Sequence, residues 1–126
     1  EIRSYITDNY SADYLPAQQP TYKSKAKNAQ EAHEAIRPTS ILRTPDSLKN
    51  RLTSDQLRLY EMIWKRTLAS QMTPARFDTV SVDIRLSSDD TLFRASGQTL
   101  VFPGFIGVYR EGVDDAEEEN TTKLPP

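Results

Sequence analysis

Apolar residues recur every three or four positions between Leu57 and Met72, and every second position between Val80 and Leu86. The first period belongs to an α-helix with one face on a core, the second to a strand with one face covered. Within the first, Leu57, Tyr60, Ile63, Trp64, Thr67, Leu68 and Met72 form a wide stripe. Thr53-Ser54-Asp55-Gln56 ahead of it has capping-box spacing, and Pro74 bars continuation, so the pattern predicts a helix over roughly 54–72. Ile2, Tyr5, Ile6 and Tyr10 stand near helical spacing and predict another helix at the start. Tyr14-Leu15-Pro16 to Pro20 reads as extended or turn chain. Asn28 is a candidate cap for a short helix from Ala29 to Ile36, stopped by Pro38. Thr44-Pro45 looks like a further helix start, with Thr as N-cap and Pro at N1.

In the second half Val80, Val82, Ile84 and Leu86 alternate with Ser81, Asp83 and Arg85, which predicts a half-buried strand. Ser87-Ser88-Asp89-Asp90 is a turn cluster. Thr91 to Ser96 and Gln98 to Phe102 read as two short strands broken at Gly97, and Phe105 to Tyr109 as a final one. Helices first and strands afterwards predict an α+β fold, with antiparallel strands, divided into 1–74 and 75–126.

The 126 residues are 37% hydrophobic and 27% charged, and the net charge is -2. A globally basic nucleic-acid binder is excluded; a local basic patch is not. From Thr21 to Arg51 seven cations stand against three anions. Glu111 to Glu119 holds six acids and no base, so 111–120 reads as a self-repelling loop or tail. With no cysteine there is no disulfide framework, thiol nucleophile or cysteine-based zinc site. No apolar run approaches a membrane span, so no membrane partner is expected. The chain opens with Glu1-Ile2-Arg3 rather than an apolar leader, and an internal piece of a longer polypeptide is the expectation.

His33 is the sole histidine. His33-Glu34 is no zinc-protease motif, because Arg37 stands where the second histidine would be. No metal site is expected, and the four glycines form no phosphate loop. The segment above background is Gln30-Glu31-Ala32-His33-Glu34-Ala35-Ile36-Arg37-Pro38-Thr39. On a helix, His33 and Arg37 at i and i+4 share a face. A guanidinium fork matches phosphate oxygens, and an imidazole beside it donates a further hydrogen bond. Lys23, Lys25 and Lys27 add non-specific attraction to a polyanion. The alternatives are a surface histidine, a helix-terminal arginine and a solvated lysine face.

QEAHEAIRPT resembles the signature segment of type IA DNA topoisomerases, closer to the bacterial topoisomerase I branch than to the topoisomerase III branch. Tyr5-Ile6-Thr7-Asp8-Asn9-Tyr10 with Tyr14-Leu15-Pro16 resembles the stretch after that family's catalytic-tyrosine motif. Tyr60 to Trp64 and Ala69-Ser70-Gln71-Met72-Thr73-Pro74-Ala75 resemble the helix leading into its arch domain. The resemblance covers most of residues 1–110.

It implies that 1–74 ends the helical domain bearing the nucleophile, which itself lies upstream of Glu1, and that 75–126 belongs to the β-rich arch. His33 then stands near the scissile phosphate, positioning it without being a nucleophile. Arg37, with Lys23, Lys25 and Lys27, contacts DNA, and Glu34 orients a neighbour. None of the six tyrosines sits in the nucleophile motif. Implied partners are single-stranded DNA and the remaining domains of the same polypeptide. No cofactor is expected in this piece; magnesium belongs to the parent enzyme. The location implied is the bacterial cytoplasm, at the nucleoid. The isolated piece is expected to be inactive. The competing reading is a non-enzymatic α+β module binding nucleic acid or protein through the 21–51 basic stretch.

Overall fold

The structure is a computed structural model, and it describes residues 1–23 and 34–110. The chain divides into two compact units. The first holds Glu1–Pro74 and Gly104–Arg110, and the described part of the second is Ala75–Pro103. The α+β expectation holds, with helices followed by two antiparallel strands.

In the first unit, α1 (Ile2–Asn9), α2 (Pro45–Leu48) and α3 (Ser54–Ala69) are accompanied by 3-10 turns at Ala12–Tyr14 and Gly104–Gly107. Both caps read from the sequence are present. The Thr44 hydroxyl accepts from Ser47 N–H at 3.3 Å. Thr53 Oγ1 accepts from Gln56 N–H at 3.3 Å while Gln56 Oε1 accepts from Thr53 N–H at 3.0 Å, closing the box.

The core is Ile6, Ile41, Trp64, Leu68 and Met72, with Ile2, Tyr5, Tyr10, Tyr14, Leu15, Tyr60 and Val108 packed around it. Trp64 Nε1–H donates to the Ile41 carbonyl at 2.9 Å, so the one polar atom of this indole is satisfied in the interior. Tyr5 meets the Trp64 ring edge to face, centroids 5.6 Å apart.

Helix α3 stops at Ala69, three residues earlier than its apolar period suggests. Gln71 and Met72 N–H turn to the Leu68 and Ala69 carbonyls, a tightened turn that still carries Met72 into the core. Thr73 then leaves the helix axis: its N–H donates to Tyr14 O at 2.9 Å and its hydroxyl to Asp13 O at 2.7 Å. The expected helix over 29–36 is corrected where it is described: Glu34 to Ile36 are not helical. Pro38 disfavours the helical region for Arg37 and removes the donor a helix would need.

The second unit is a hairpin of β1 (Arg76–Arg85) and β2 (Leu92–Phe102), antiparallel, running from Phe77 opposite Leu100 to Arg85 opposite Leu92. Its register shifts between Arg76 and Phe77. The predicted break at Gly97 is absent. Gly97 sits in the ladder opposite Val80, and one strand runs through it. Asp89 Oδ1 accepts from Thr91 N–H at 2.7 Å and closes the turn. Arg94 grips Asp83 across the strands with two bonds, at 2.6 and 3.0 Å.

Two further expectations are corrected. Val80, Val82 and Ile84 share a face with Ala95 and Phe93 as the alternation predicts, but that face is exposed, with Ile84 54% and Phe93 57% accessible. The alternation fixes which side chains point together; burial needs a second layer, and none of the described residues of this unit supplies one. Phe105–Tyr109 is not a strand. Gly104 adopts φ +51°, the left-handed region, and the chain curls so that Val108 and Tyr109 N–H both donate to Phe105 O.

Candidate nucleic-acid interface

Of the residues singled out from sequence, His33, Lys25 and Lys27 lie outside the described residues, as does the acidic run from Glu111. Lys23 is exposed on irregular chain. Glu34 and Arg37 form an ion pair, Arg37 Nη2 to Glu34 Oε1, and both side chains are more than half exposed. Exposed pairs contribute little stability, so this one gives the guanidinium a preferred partner without anchoring it. The expectation that His33 and Arg37 share a helical face has no support in the described part, because Arg37 stands on non-helical chain.

What Arg37 does join is a groove of about 880 Å³ in the helical unit. Ala35, Ile36 and Arg37 line one side, Ile2 and Arg3 from α1 another, and Leu59, Met62, Ile63, Arg66, Thr67 and Ser70 from α3 and its C-cap a third. The α3 contribution is one helical row, since 59, 62, 63, 66, 67 and 70 fall at the spacing of a single face. The floor is apolar and open. Ile36 is 82% exposed, and Leu59 and Met62 about half exposed.

The charges around the groove are arranged unevenly. Arg3 Nη1 donates to Pro16 O at 3.0 Å, which ties the side chain down by one of its five N–H donors. Arg66 Nη1 reaches Tyr109 Oη at 3.2 Å and lies over that ring at 5.7 Å. Glu1 is the one carboxylate among the described lining residues. It is turned to the Ser40–Ile41 chain, accepting from Ser40 Oγ at 2.5 Å and Ile41 N–H at 2.8 Å. Those bonds, the Ser40 hydroxyl first, hold its carboxyl below its ordinary value. Sequence reasoning missed Arg3, Arg66, Leu59 and Met62. For the three on α3 the signal was a second row along that helix, hidden beside the stronger core stripe, whereas Arg3 stands on α1.

Burial raises the Tyr10 and Tyr60 hydroxyls above their ordinary value, which keeps the phenols protonated. Tyr60 and Tyr22 spend their hydroxyl protons on Arg43 O and Ser70 O, each at 2.6 Å. Among the described residues no group of three His, Asp or Glu side chains could hold a metal ion, and no helix is long and apolar enough to cross a membrane.

A family model described as DNA topoisomerase matches residues 1–126, the whole chain. The chain belongs to the DNA topoisomerase family. The resemblance read from QEAHEAIRPT is thereby borne out. Curated relatives include DNA topoisomerase 1 of Rickettsia felis, 52% identical over all 126 residues, and that of Rickettsia prowazekii, 49% identical over the same span. The chain spans 16% of the length of each. Among solved structures it is similar to full-length topoisomerase I from Thermotoga maritima, with a TM-score of 0.70 and 33% identity. That match covers 99% of this chain and 18% of the other.

Proposed function

We propose that this segment positions the DNA backbone in a type IA topoisomerase that relaxes negatively supercoiled DNA. In that reaction a tyrosine hydroxyl supplied by the rest of the polypeptide attacks a phosphorus of one strand. The new bond is a 5′-phosphotyrosyl link, and the 3′ oxygen leaves, taking up a proton. A second strand passes, and the 3′ hydroxyl attacks the link to reseal. Because the covalent step conserves the phosphodiester energy, relaxation needs no ATP.

The roles assigned rest on the chemistry of each side chain. His33 donates a hydrogen bond to the phosphate about to be cut and holds it in line. Arg37 contacts the neighbouring backbone, oriented by Glu34. Lys23, Lys25 and Lys27 draw the polyanion in. The described residues bring together no group of three carboxylate or histidine side chains for a magnesium ion, and in this reading the metal belongs to a domain outside the chain. Residues 1–74 close the nucleophile-bearing helical domain. The strands after Ala75 belong to the arch that hinges to open the gate, and an exposed apolar hairpin face suits an arch completed by other chain segments. The setting is the bacterial cytoplasm, at the nucleoid.

The observation that supports this most is an exposed, carboxylate-paired Arg37 at the end of the signature decapeptide, in a chain matched over its whole length by the family. The test has two arms. The purified 126-residue chain should not relax supercoiled plasmid with or without magnesium, and relaxation by it would refute the division of labour. In the full-length enzyme His33→Ala should slow relaxation on the order of 100-fold, the cost of losing one donor aimed at developing charge. Unchanged activity removes His33 from the site.

A further inference from the structure

We infer that the groove between α1 and α3 is a second DNA subsite, holding a short run of unstacked single strand that continues from Arg37. This rests on the function proposed above and extends it to residues outside the signature. The argument begins with charge. Arg3, Arg37 and Arg66 ring the groove, and its one described carboxylate, Glu1, is already occupied by the Ser40 hydroxyl and Ile41 N–H. An anionic strand therefore meets guanidinium forks on three sides, and the carboxylate beside them, Glu34, is an exposed partner of Arg37 that a phosphate can replace. Two of the forks are also held in place, Arg3 by Pro16 O and Arg66 by the Tyr109 hydroxyl and ring. Less side-chain freedom is then lost when phosphate arrives.

The floor decides what kind of anion fits. Inorganic phosphate has no apolar surface, yet Ile36, Leu59 and Met62 stand half exposed or more. Nucleobases in a single strand present flat, weakly hydrated faces that cover such side chains while the backbone stays at the arginine rim. About 880 Å³ lies within the range that holds a ligand larger than one phosphate. An apolar segment of polypeptide also covers an apolar floor and offers carbonyls, but it brings no negative charge to set against three guanidiniums. Continuity with Arg37 favours DNA as well, since one side chain serves both stretches of the strand.

The test uses the full-length enzyme and a fluorescein-labelled oligothymidine of about a dozen residues, long enough to run past Arg37 into the groove, read by anisotropy over a range of salt. Arg66→Ala and Arg3→Ala should each weaken binding about tenfold, the loss of one charge-assisted contact. Each should also lower the salt slope by about one. Met62→Cys should react with maleimide above the parent's background in the free enzyme and be protected by the oligothymidine. Trp64 fluorescence checks that each variant is folded, and Arg66→Lys, which keeps charge without the fork, should fall between. If the arginine variants bind as the parent does while Arg37→Ala does not, the groove is overturned and the proposed function stands. If Arg37→Ala also binds normally, the underlying reading fails too. A thiol introduced by Met62→Cys that is unreactive even without DNA means that another part of the polypeptide covers the floor, and this also overturns the subsite.

Discussion

Gly104 is the most constrained backbone position among the described residues, and replacing it with alanine measures how tightly the helical unit is closed. Two costs are separable. An L-residue at φ +51° sits in the left-handed region, which costs roughly 1–2 kcal/mol relative to glycine. A Cβ there would lie 2.4 Å from Thr73 O and 2.6 Å from Pro74 O, inside any tolerable contact, and both obstacles are backbone. Relief requires the two chain segments to part. That breaks the Phe105 N–H to Thr73 O bond of 3.0 Å, worth about 1 kcal/mol, and disturbs the Thr73 bonds to Asp13 and Tyr14. The sum is about 3 kcal/mol, which lowers the melting temperature of a unit this size by roughly 15 °C. Trp64, the only tryptophan and a core residue, reports the transition by fluorescence. Gly104→Asn divides the cost, because asparagine tolerates the left-handed region but keeps the Cβ. It should recover only a minor part. A Gly104→Ala protein melting within about 3 °C of the parent, less than 1 kcal/mol, would show that the segments separate freely, and the reasoning would be wrong.

Two further outcomes concern the same unit. Thr53→Ala removes the hydroxyl half of the capping box and should cost about 1 kcal/mol, a fall of several degrees in the Trp64 melting curve; no change would mean that α3 is held by packing alone. Glu1→Gln tests the bonds to Ser40 and Ile41. A carboxyl held below its ordinary value contributes stability that is complete above the unfolded-state value and is lost as pH falls through the lowered one. The melting temperatures of parent and variant should therefore differ at neutral pH and converge in acid, and a constant gap would discount the charge.

Much of the fold is legible in the sequence because local rules and tertiary context agree. Thr44, Thr53 and Gln56 cap as their spacing says, and Trp64, Leu68 and Met72 are core because the helical period puts them on one stripe. Sequence and structure part where a local signal has a second solution. Gly97 reads as a break, but a glycine can also sit in a ladder opposite Val80. Phe105 to Tyr109 has apolar strand-like composition, and the Pro103-Gly104 pair before it signals a turn but not the left-handed conformation that curls the chain beyond it. The hairpin keeps its alternation and loses its burial, because alternation describes one layer and burial requires two.

The candidate site is legible in one half. QEAHEAIRPT names residue types suited to phosphate, and the structure shows Arg37 exposed and paired with Glu34. Its geometry is not legible where it is described, because Pro38 outweighs the helical preference of Glu34 to Ile36 just before it. The other half is hidden by α3 itself. One row of that helix, at 64 and 68, seals the core, while the row at 59, 62 and 66 faces the groove. A helix with two such rows reads as one broad apolar stripe, and periodicity alone merges the row that stabilises with the row left open. Charge separates them: the core row is free of cations, whereas Arg66 belongs to the outer one and meets Arg3 and Arg37 across the groove. Two apolar rows distinguished by an arginine suit a helix that packs inward on its own chain and outward on an anion.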